Sequence, residues 1–472
     1  MPLRQQVYLQ LRGAIEQGTF APGARLPPSR EHARVLGVAR NTVLWALERL
    51  RAEGYVQARV GDGSYVADAL AALRPGRSRT AWASLAAAAP LSRRGQLIAD
   101  TALRWRPPTE APIAFRIGSP AVDAFPFAVW QRLARQTSPM QQRDSARYIA
   151  PAGHPPLREA IAQWLLVSRG VRCDAQQVVV TSGSQQAIDL IGRLLLDVGD
   201  EVMVEDPGYP GIRASFISHG AQARPVPVDA EGIDVVQGAR RWPAARMAVV
   251  TPSHQFPLGV RMSLARRLAV LDWARSQRAW LVEDDYDGEF QYGAHRIPAL
   301  ASLAHDERVL YVGTFSKTLH PGLRLGFVVV PPALADAFAS AKAITDRHSP
   351  SAEQDVLARF IAEGHLLRHL RHVRELYAQR QRVLIDSLAR ASSGALRLAP
   401  SSHGMHLLHA IEPGRPDQPL SRRALELGVF VAPLSAYAIE SRRAGWLFGY
   451  AGFEPATLRA ASRKLGPALR ER

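Results

Sequence analysis

The sequence has little cysteine and little lysine, and it has no long apolar run. A single cysteine, Cys173, in 472 residues excludes an internal disulfide and a cysteine-based metal site, which agrees with a reducing compartment. No apolar stretch approaches the roughly eighteen residues that a membrane-spanning helix needs, and the first residues lack the pattern of a secretion signal. We therefore expect a cytoplasmic protein with no membrane partner and no metal.

Basic residues are abundant, but nearly all of them are arginines. The chain has 59 Lys and Arg against 42 Asp and Glu, a formal net charge of +17, and its only lysines are Lys317, Lys342 and Lys464. A balance this basic favours a polyanionic partner such as nucleic acid, although the arginine excess also fits a compositional bias of the genome. Residues 1–66 carry nine arginines against five acids, which suits DNA binding without proving it.

The pattern of apolar residues divides the chain into three parts. Residues 1–66 show helical periodicity and then a short strand-turn-strand, whereas residues 67–112 are rich in Ala, Arg, Pro and Ser and indicate a linker. Over residues 113–465 apolar strands alternate with helices, which predicts an α/β fold with a mainly parallel sheet between two helical layers. From about residue 334 the pattern indicates a small C-terminal α+β subdomain. The predicted strands are Val178–Val180, Glu201–Val204, Met247–Val250, Trp280–Val282 and Val309–Val312.

The N-terminal part contains the pattern of a winged helix-turn-helix. A first helix ends at Gly18, a second is expected to be capped by Ser29 and to break at Gly37, and a third runs to Glu53. Two short helices joined by a glycine turn are typical of helix-turn-helix proteins. A glycine-rich hairpin over residues 55–66 predicts the wing. A small helical domain with scattered surface arginines would explain the spacing equally well.

The start of the third helix has side chains suited to reading DNA bases. Arg40, Asn41 and Thr42 lie where such a helix enters the major groove. Arginine can bond a guanine edge in a bidentate manner and asparagine an adenine edge, and each good pair contributes about 1–3 kcal/mol of discrimination.

Three motifs in this segment resemble the GntR-type winged helix-turn-helix. They are a Pro-Gly-x-x-Leu-Pro-x-x-Arg turn at Pro22–Arg30, a Gly-Val-x-Arg-x-Thr helix start at Gly37–Thr42, and Ala-Glu-Gly-Tyr at Ala52–Tyr55. The resemblance implies binding to double-stranded promoter DNA, with Gly61 in the wing tip near phosphate or the minor groove. Pro28 departs from the usual serine and should affect only the helix entry. The DNA contacts implied in the helices are Arg30, Arg40, Asn41 and Thr42.

Lys317 is conspicuous in a chain with three lysines. It follows a predicted strand within Gly313–Gly326, a segment that also holds small hydroxyl residues and an arginine. A lysine in this setting can form a Schiff base with an aldehyde cofactor, while the hydroxyls and the arginine bind a phosphate. A surface lysine in a loop is the alternative.

Three further strand ends carry polar or aromatic residues. Thr181–Ala187 joins a strand to a helix and could bind phosphate through backbone N–H groups, although many such turns look alike. Glu283–Tyr286 offers carboxylates that could be metal ligands, helix caps or the partner of a cationic ring nitrogen; the absence of a nearby histidine pair disfavours metal. Glu205–Pro210 presents Tyr209 for stacking on a flat ring, and a turn packed by a tyrosine explains it as simply.

Together, in this order, these segments resemble the fold-type I aminotransferases over residues 113–465, and the resemblance implies pyridoxal 5′-phosphate as cofactor. Lys317 would form the internal aldimine, Asp284 would pair with the pyridine nitrogen, and Tyr286 would bond the ring hydroxyl. Tyr209 would stack on the ring. Tyr148 would reach the cofactor of a neighbouring subunit, which implies a homodimer. The residues implied to hold the phosphate are Ser184, Gln185, Thr314 and Arg324.

A GntR-type domain fused to an aminotransferase-like domain is the layout of the MocR-type regulators, which this chain resembles from end to end. Two departures from active aminotransferases stand out. Phe256, within a Ser-His-Gln-Phe-Pro segment, replaces an asparagine that contacts the ring hydroxyl, and Leu447 replaces the arginine that anchors the substrate carboxylate. The arginines that could substitute for that anchor are Arg213, Arg442 and Arg443.

Two functions remain open from the sequence. The first is a transcription regulator that senses pyridoxal phosphate or an amine through the aminotransferase-like domain, and it needs different ligand affinities for two arrangements of the protein. The second is a working aminotransferase with a vestigial DNA-binding module. The residues at 40–42 and the replacements at 256 and 447 favour the regulator. We do not expect a full transamination cycle, and residual half-transamination stays open.

Overall fold

The computed structural model describes residues 1–59, 62–69, 91–103, 113–136, 143, 146–292, 297–304, 308–412 and 414–470. The chain forms two compact units, Met1–Ser92 and Arg93–Arg472. A helix at Arg93–Leu103 lies within the segment that the sequence assigns to the linker, and it belongs to the second unit. Within that unit, Arg94 Nε donates a hydrogen bond of 2.7 Å to the carbonyl of Ser218.

The first unit is a winged helix-turn-helix, as the sequence predicts. Its core is formed by apolar side chains from all three helices and both strands, among them Leu11, Val43, Leu50 and Val66, each at most 4% exposed. The two strands pair antiparallel, from Val56 opposite Val66 to Arg59 opposite Gly63. The elements are α1 (Leu3–Glu16), α2 (Ser29–Leu36), α3 (Arg40–Ala52), β1 (Val56–Arg59) and β2 (Gly63–Val66).

The prediction that Ser29 caps α2 is wrong. Pro28 precedes the helix with φ −57° and ψ 142°, and its carbonyl accepts the N–H of His32 at 3.0 Å, so Ser29 is the first helical residue. Proline suits a position beside the first helical turn because that turn's N–H groups have no partner within the helix. The Ser29 hydroxyl instead accepts a hydrogen bond of 3.2 Å from Arg40 Nε, which ties α2 to the start of α3.

The second unit is a three-layer α/β structure followed by a smaller α+β part. Its helices of seven residues or more are α4 (Arg93–Leu103), α5 (Phe127–Arg135), α6 (Pro155–Arg169), α7 (Ser184–Leu195), α8 (Pro210–Ser218), α9 (Val235–Arg241), α10 (Leu264–Ser276), α11 (Ala335–Asp346), α12 (Ser351–Ala362), α13 (His365–Ala391), α14 (Gln418–Glu426) and α15 (Pro455–Arg470). The eight strands of the large sheet are β3 (Val178–Thr181), β4 (Glu201–Asp206), β5 (Gln222–Asp229), β6 (Gly232–Ile233), β7 (Ala245–Val250), β8 (Trp280–Asp284), β9 (Val309–Thr314) and β10 (Gly326–Val329). A second sheet is formed by β11 (His406–Ala410), β12 (Ala432–Pro433) and β13 (Gly445–Gly449).

The large sheet is mixed and mostly parallel. Its strand order is β3-β10-β9-β8-β7-β4-β5-β6, and the neighbours from β9 through β5 run parallel. All five predicted strands are present. The sheet also contains β10, which lies antiparallel between β3 and β9. The residues of β3 and β10 are all buried, as expected for strands covered on both faces.

The carboxyl ends of β4, β8 and β9 meet at one edge of the sheet, where ligands bind in open α/β folds. A buried ion pair fixes the residue that follows β8: Arg169 Nε and Asp285 Oδ2 are 2.6 Å apart, and both side chains are at most 2% exposed. Tyr311 on β9 donates a further hydrogen bond of 2.6 Å to the same oxygen. Among the described helices, none is long and apolar enough to cross a membrane.

Candidate cofactor site and DNA-binding face

Lys317 lies just after β9, in a short helical turn at Phe315–Thr318. Its Nζ donates a hydrogen bond of 2.7 Å to the carbonyl of Gly118. Burial lowers the pKa of Lys317, and the nearby carboxylates of Asp287 and Asp284 oppose that shift. A desolvated lysine gives up its proton more readily than one in water, and the neutral amine is the nucleophile that Schiff-base chemistry requires.

Asp284 is the last residue of β8 and is 4% exposed. Burial raises the pKa of Asp284 to about 7, reinforced by Asp285 and Glu205 and opposed by Lys317. Among the described residues, none gives a hydrogen bond to its Oδ1. A buried carboxylate oxygen without a partner is costly, and a protonated ring nitrogen would satisfy it.

A second group of predicted residues surrounds the N-terminus of α7. Gly183 precedes the helix with φ 102°, a conformation that favours glycine, and Ser184 is the first helical residue. The Arg324 guanidinium approaches closely: its Nη2 donates to the carbonyl of Ser182 at 2.5 Å and would lie 3.4 Å from a Cβ placed on Gly183. Backbone N–H groups and a guanidinium at a helix N-terminus form a suitable site for a phosphate.

Thr314 and Gln185 border this phosphate site. The Thr314 hydroxyl accepts a hydrogen bond of 3.2 Å from the Ser316 N–H at the end of β9. Gln185 Nε2 donates to the carbonyl of Gly211 at 2.9 Å, whereas its buried Oε1 has no partner among the described residues. The Oε1 atom of Gln185 is therefore available to accept a hydrogen bond from a ligand.

Tyr209 links the two groups of residues. The side chain of Tyr209 is half-buried. Burial raises the pKa of Tyr209, and the charges of Asp284 and Arg324 also act on it. The charges of both predicted groups therefore reach Tyr209, which agrees with the ring-stacking role that the resemblance implies for it. Its own ring stands edge-on to Phe256, with the centroids 5.8 Å apart.

Tyr286 is held by two residues that the sequence did not single out for this role. Its hydroxyl lies 2.9 Å from His254 Nδ1, and the same nitrogen is 2.8 Å from Asp287 Oδ2. His254 and Asp287 are 2% and 1% exposed. A partial signal was present in the sequence, since Asp287 directly follows Tyr286 and His254 lies in the Ser-His-Gln-Phe-Pro segment.

These contacts fit pyridoxal phosphate. A lysine amine, a buried carboxylate oxygen without a partner among the described residues and a glycine-bounded phosphate site match its aldehyde, its ring nitrogen and its phosphate. Tyr148 is not part of this cluster in the described contacts. It is 79% exposed, with the Arg347 guanidinium 5.0 Å from its ring and His348 beside it at 5.9 Å.

The two replaced positions have apolar surroundings. Phe256 lies among aromatic rings, 5.2 Å from Tyr437 and 6.1 Å from Tyr286. Leu447, in the middle of β13, is fully buried and pairs with Leu408 on β11 and Ala432 on β12. No guanidinium extends from position 447 to hold a carboxylate.

The three arginines considered as substitutes for that anchor occupy different surroundings. Arg442 and Arg443 are exposed. Arg213 lines a cavity together with Tyr209 and Tyr437. Of the three, Arg213 is therefore the one that the structure brings near a predicted cofactor residue.

The predicted DNA contacts share the surface of the first unit. Arg30 on α2 and Arg40 and Asn41 at the start of α3 are exposed, and Thr42 is half-buried. Thr42 donates its N–H to the carbonyl of Ala39, the residue before α3, at 2.9 Å. Gly61 lies outside the described residues.

Two family models match the chain. Residues 3–66 match the bacterial regulatory proteins of the gntR family, and residues 113–465 match aminotransferase class I and II. The sequence is 40% identical over 472 residues to the probable rhizopine catabolism regulatory protein MocR of Rhizobium meliloti, covering 99% of this chain and 94% of that protein. It is 29% identical to the pyridoxine biosynthesis transcriptional regulator PdxR of Corynebacterium glutamicum, over 98% of this chain and 95% of that protein.

Among solved structures, the chain is similar to LysN, an α-aminoadipate aminotransferase from Thermus thermophilus complexed with N-(5′-phosphopyridoxyl)-L-leucine. The TM-score is 0.71 at 29% identity, and the match covers 79% of this chain and 97% of that one. The enzyme therefore corresponds to most of this chain, while MocR and PdxR match nearly all of it.

Proposed function

Because the chain belongs to the MocR-type regulators of the GntR family, we propose that it is a transcription regulator whose DNA affinity responds to a ligand bound at Lys317. The aminotransferase class I and II domain indicates pyridoxal 5′-phosphate as the cofactor. The observation that carries the proposal is that a winged helix-turn-helix with an exposed Arg40 and Asn41 shares the chain with the half-buried Lys317. Binding to DNA places such a protein in the cytoplasm. Its direct test is whether the cofactor changes operator affinity.

On the DNA side, α3 supplies the base contacts. Arg40 and Asn41 at its N-terminus extend toward base edges in the major groove, and Thr42 follows them. Arg30 on α2 contacts the phosphate backbone, which sets the position of the protein without reading sequence. The bond between Arg40 and the Ser29 hydroxyl keeps the two helices in register at this face.

On the ligand side, pyridoxal phosphate supplies an aldehyde that condenses with amines. Lys317 presents a desolvated amine, and Asp284 offers a buried carboxylate to the ring nitrogen. The backbone at Gly183 and Ser184 and the Arg324 guanidinium hold the phosphate. Tyr209 covers the ring, and Tyr286 holds a proton near the ring hydroxyl.

The site favours ligands that need no carboxylate anchor. The buried Leu447 removes the bidentate guanidinium contact on which aminotransferases rely. We therefore expect L-alanine to perturb the visible spectrum of the bound cofactor at concentrations no lower than those at which ethylamine does. The measurement is a spectrophotometric titration of the holoprotein with each compound. L-alanine acting at tenfold lower concentration would show that another cation, such as Arg213, binds the carboxylate.

We also propose that the protein acts as a homodimer. Tyr148 is largely exposed and lies outside its own cofactor cluster, which suits a residue that reaches a neighbouring subunit. Two recognition helices acting together require half-sites separated by whole turns of DNA, about 10 bp or a multiple. Footprinting on the protein's own promoter should therefore show two protected half-sites at that spacing. Inserting about 5 bp between them should weaken binding, and unchanged binding would argue against paired recognition helices.

A further inference from the structure

Three polar residues form a hydrogen-bonded group whose carboxylate charge acts on Lys317. It comprises His254, Tyr286 and Asp287, with His254 Nδ1 2.9 Å from the Tyr286 hydroxyl and 2.8 Å from Asp287 Oδ2. Asp287 is also the carboxylate whose charge acts most strongly on Lys317. We propose that His254 and Asp287 are positioning residues that orient the Tyr286 hydroxyl and keep an anion beside Lys317, and thereby set the pH at which the cofactor-bound Lys317 nitrogen loses its proton.

The hydrogen-bond geometry selects one arrangement of protons. His254 Nε2 is buried and has no partner among the described residues, so a proton on that nitrogen would have no acceptor. A proton on Nδ1 instead has Asp287 Oδ2 as its acceptor at 2.8 Å. In this tautomer the imidazole donates to an ionised Asp287, and Nδ1 cannot accept the proton of the Tyr286 hydroxyl.

The surroundings keep His254 neutral and in place. Burial lowers the pKa of His254 to about 3. His406 and His403 bond the carbonyls of Pro257 and Gly259 at 3.0 and 2.9 Å through their Nε2 atoms, which fixes the loop that carries His254. A carbonyl only accepts hydrogen bonds, so both of these nitrogens carry protons. Burial lowers the pKa of each ring to about 4, which keeps both rings neutral near pH 7.

A small set of charged groups affects the pKa of Lys317. Burial raises the pKa of Asp287 to about 7, Asp285 reinforces that shift, and a hydrogen bond with the Tyr286 hydroxyl opposes it. An anion near a protonated nitrogen raises that nitrogen's pKa. The other titratable or charged residues whose interactions reach Lys317, Tyr286 or Asp287 are Arg116, Glu205, Asp284, Asp285, Tyr292, His403, His406 and Tyr450.

The test is a spectrophotometric pH titration of the visible band of the holoprotein. Asp287→Asn removes the anion, and we expect the midpoint to fall by about 1–3 pH units. His254→Phe removes the hydrogen-bond donor that stabilises ionised Asp287, so its midpoint should fall as well. His254→Gln retains an N–H donor and should lie closer to wild type. Midpoints within about 0.2 units of wild type in both Asp287→Asn and His254→Phe would overturn the proposal.

A glycine pair provides a matched test that leaves these polar side chains intact. A Cβ on Gly404 would lie 2.1 Å from His254 Cε1, whereas one on Gly414 would meet nothing within 4 Å, and both glycines have similar φ values of 83° and 87°. Gly404→Ala should therefore displace the imidazole and lower the midpoint, while Gly414→Ala, with the same backbone strain, should leave it unchanged. Equal midpoints in the two variants would contradict the proposal.

The inference rests on the proposed function, and the experiment separates the two. A wild-type protein with no visible band would reject cofactor binding at Lys317 itself. A band that is lost in Lys317→Ala but keeps its midpoint in the His254 and Asp287 variants would reject only the positioning role.

Discussion

Replacing Lys317 by alanine should abolish the visible absorption band that the wild-type protein shows with pyridoxal phosphate. Burial lowers the pKa of the Lys317 amine, so it is the nucleophile that the site provides for an aldehyde. The side chain of alanine has no nitrogen that could react with the aldehyde. The other two lysines of the chain lie at different positions, Lys342 and Lys464, so we do not expect either of them to take the place of Lys317. Absorbance spectroscopy of the dialysed protein, followed by borohydride reduction and peptide mapping, measures this directly.

The chain offers a matched control for this experiment. Lys464 is exposed on α15, and Lys464→Ala should keep the full band. Lys342 is fully buried and paired with Asp346 at 2.5 Å, so it is already engaged. A borohydride-trapped adduct on either of these lysines would contradict the assignment of Lys317.

Replacing Arg40 by alanine should weaken binding to the protein's own promoter by about 5- to 150-fold, which corresponds to the 1–3 kcal/mol of a bidentate base contact. Binding to random duplex should change much less, because random sequence offers few correctly placed guanines. Fluorescence anisotropy with the two duplexes at one fixed salt concentration gives the ratio.

The control for Arg40 lies on the same helix. Arg51, in the last turn of α3, is exposed and carries the same charge, but it lies at the end of the helix away from the expected base contacts. Arg51→Ala should lower affinity for both duplexes to a similar, smaller extent. An equal loss on specific and random DNA for Arg40→Ala would identify Arg40 as a phosphate contact.

Local sequence patterns predicted much of the fold. The five apolar strands between helices are present because each carries enough apolar side chains to be buried on both faces. The helix-turn-helix follows from Gly18 and Gly37, which end the first two helices where the periodicity stops. Lys317 was conspicuous because lysine is scarce in this chain.

Local sequence patterns could not predict contacts between residues that are far apart in the sequence. The insertion of β10 antiparallel between β3 and β9 depends on pairing across the sheet, which no local periodicity records. The hydrogen bonds of His254 with Tyr286 and Asp287 join residues 32 and 33 positions apart. Ser29 was expected to cap α2 because serine favours that position, but Pro28 already occupies it.

The apolar residues at positions 256 and 447 help to decide between a transcription regulator and a working aminotransferase, the two functions that remained open from the sequence. A working aminotransferase needs a carboxylate anchor, and the buried Leu447 cannot provide one. The LysN likeness covers 79% of the chain, and the helix-turn-helix unit precedes the residues that match aminotransferase class I and II. Both observations favour the regulator over the enzyme with a vestigial DNA module.

The most direct test of the regulator is the affinity of the full-length protein for its own promoter, measured with and without pyridoxal phosphate in wild type and in Lys317→Ala. We predict that the cofactor changes the wild-type Kd by about 5- to 150-fold, the range of a typical coupling free energy, and leaves the variant unchanged. By linkage, promoter DNA must change the wild-type affinity for the cofactor by the same factor. An identical promoter Kd for wild type with and without the cofactor would contradict the account.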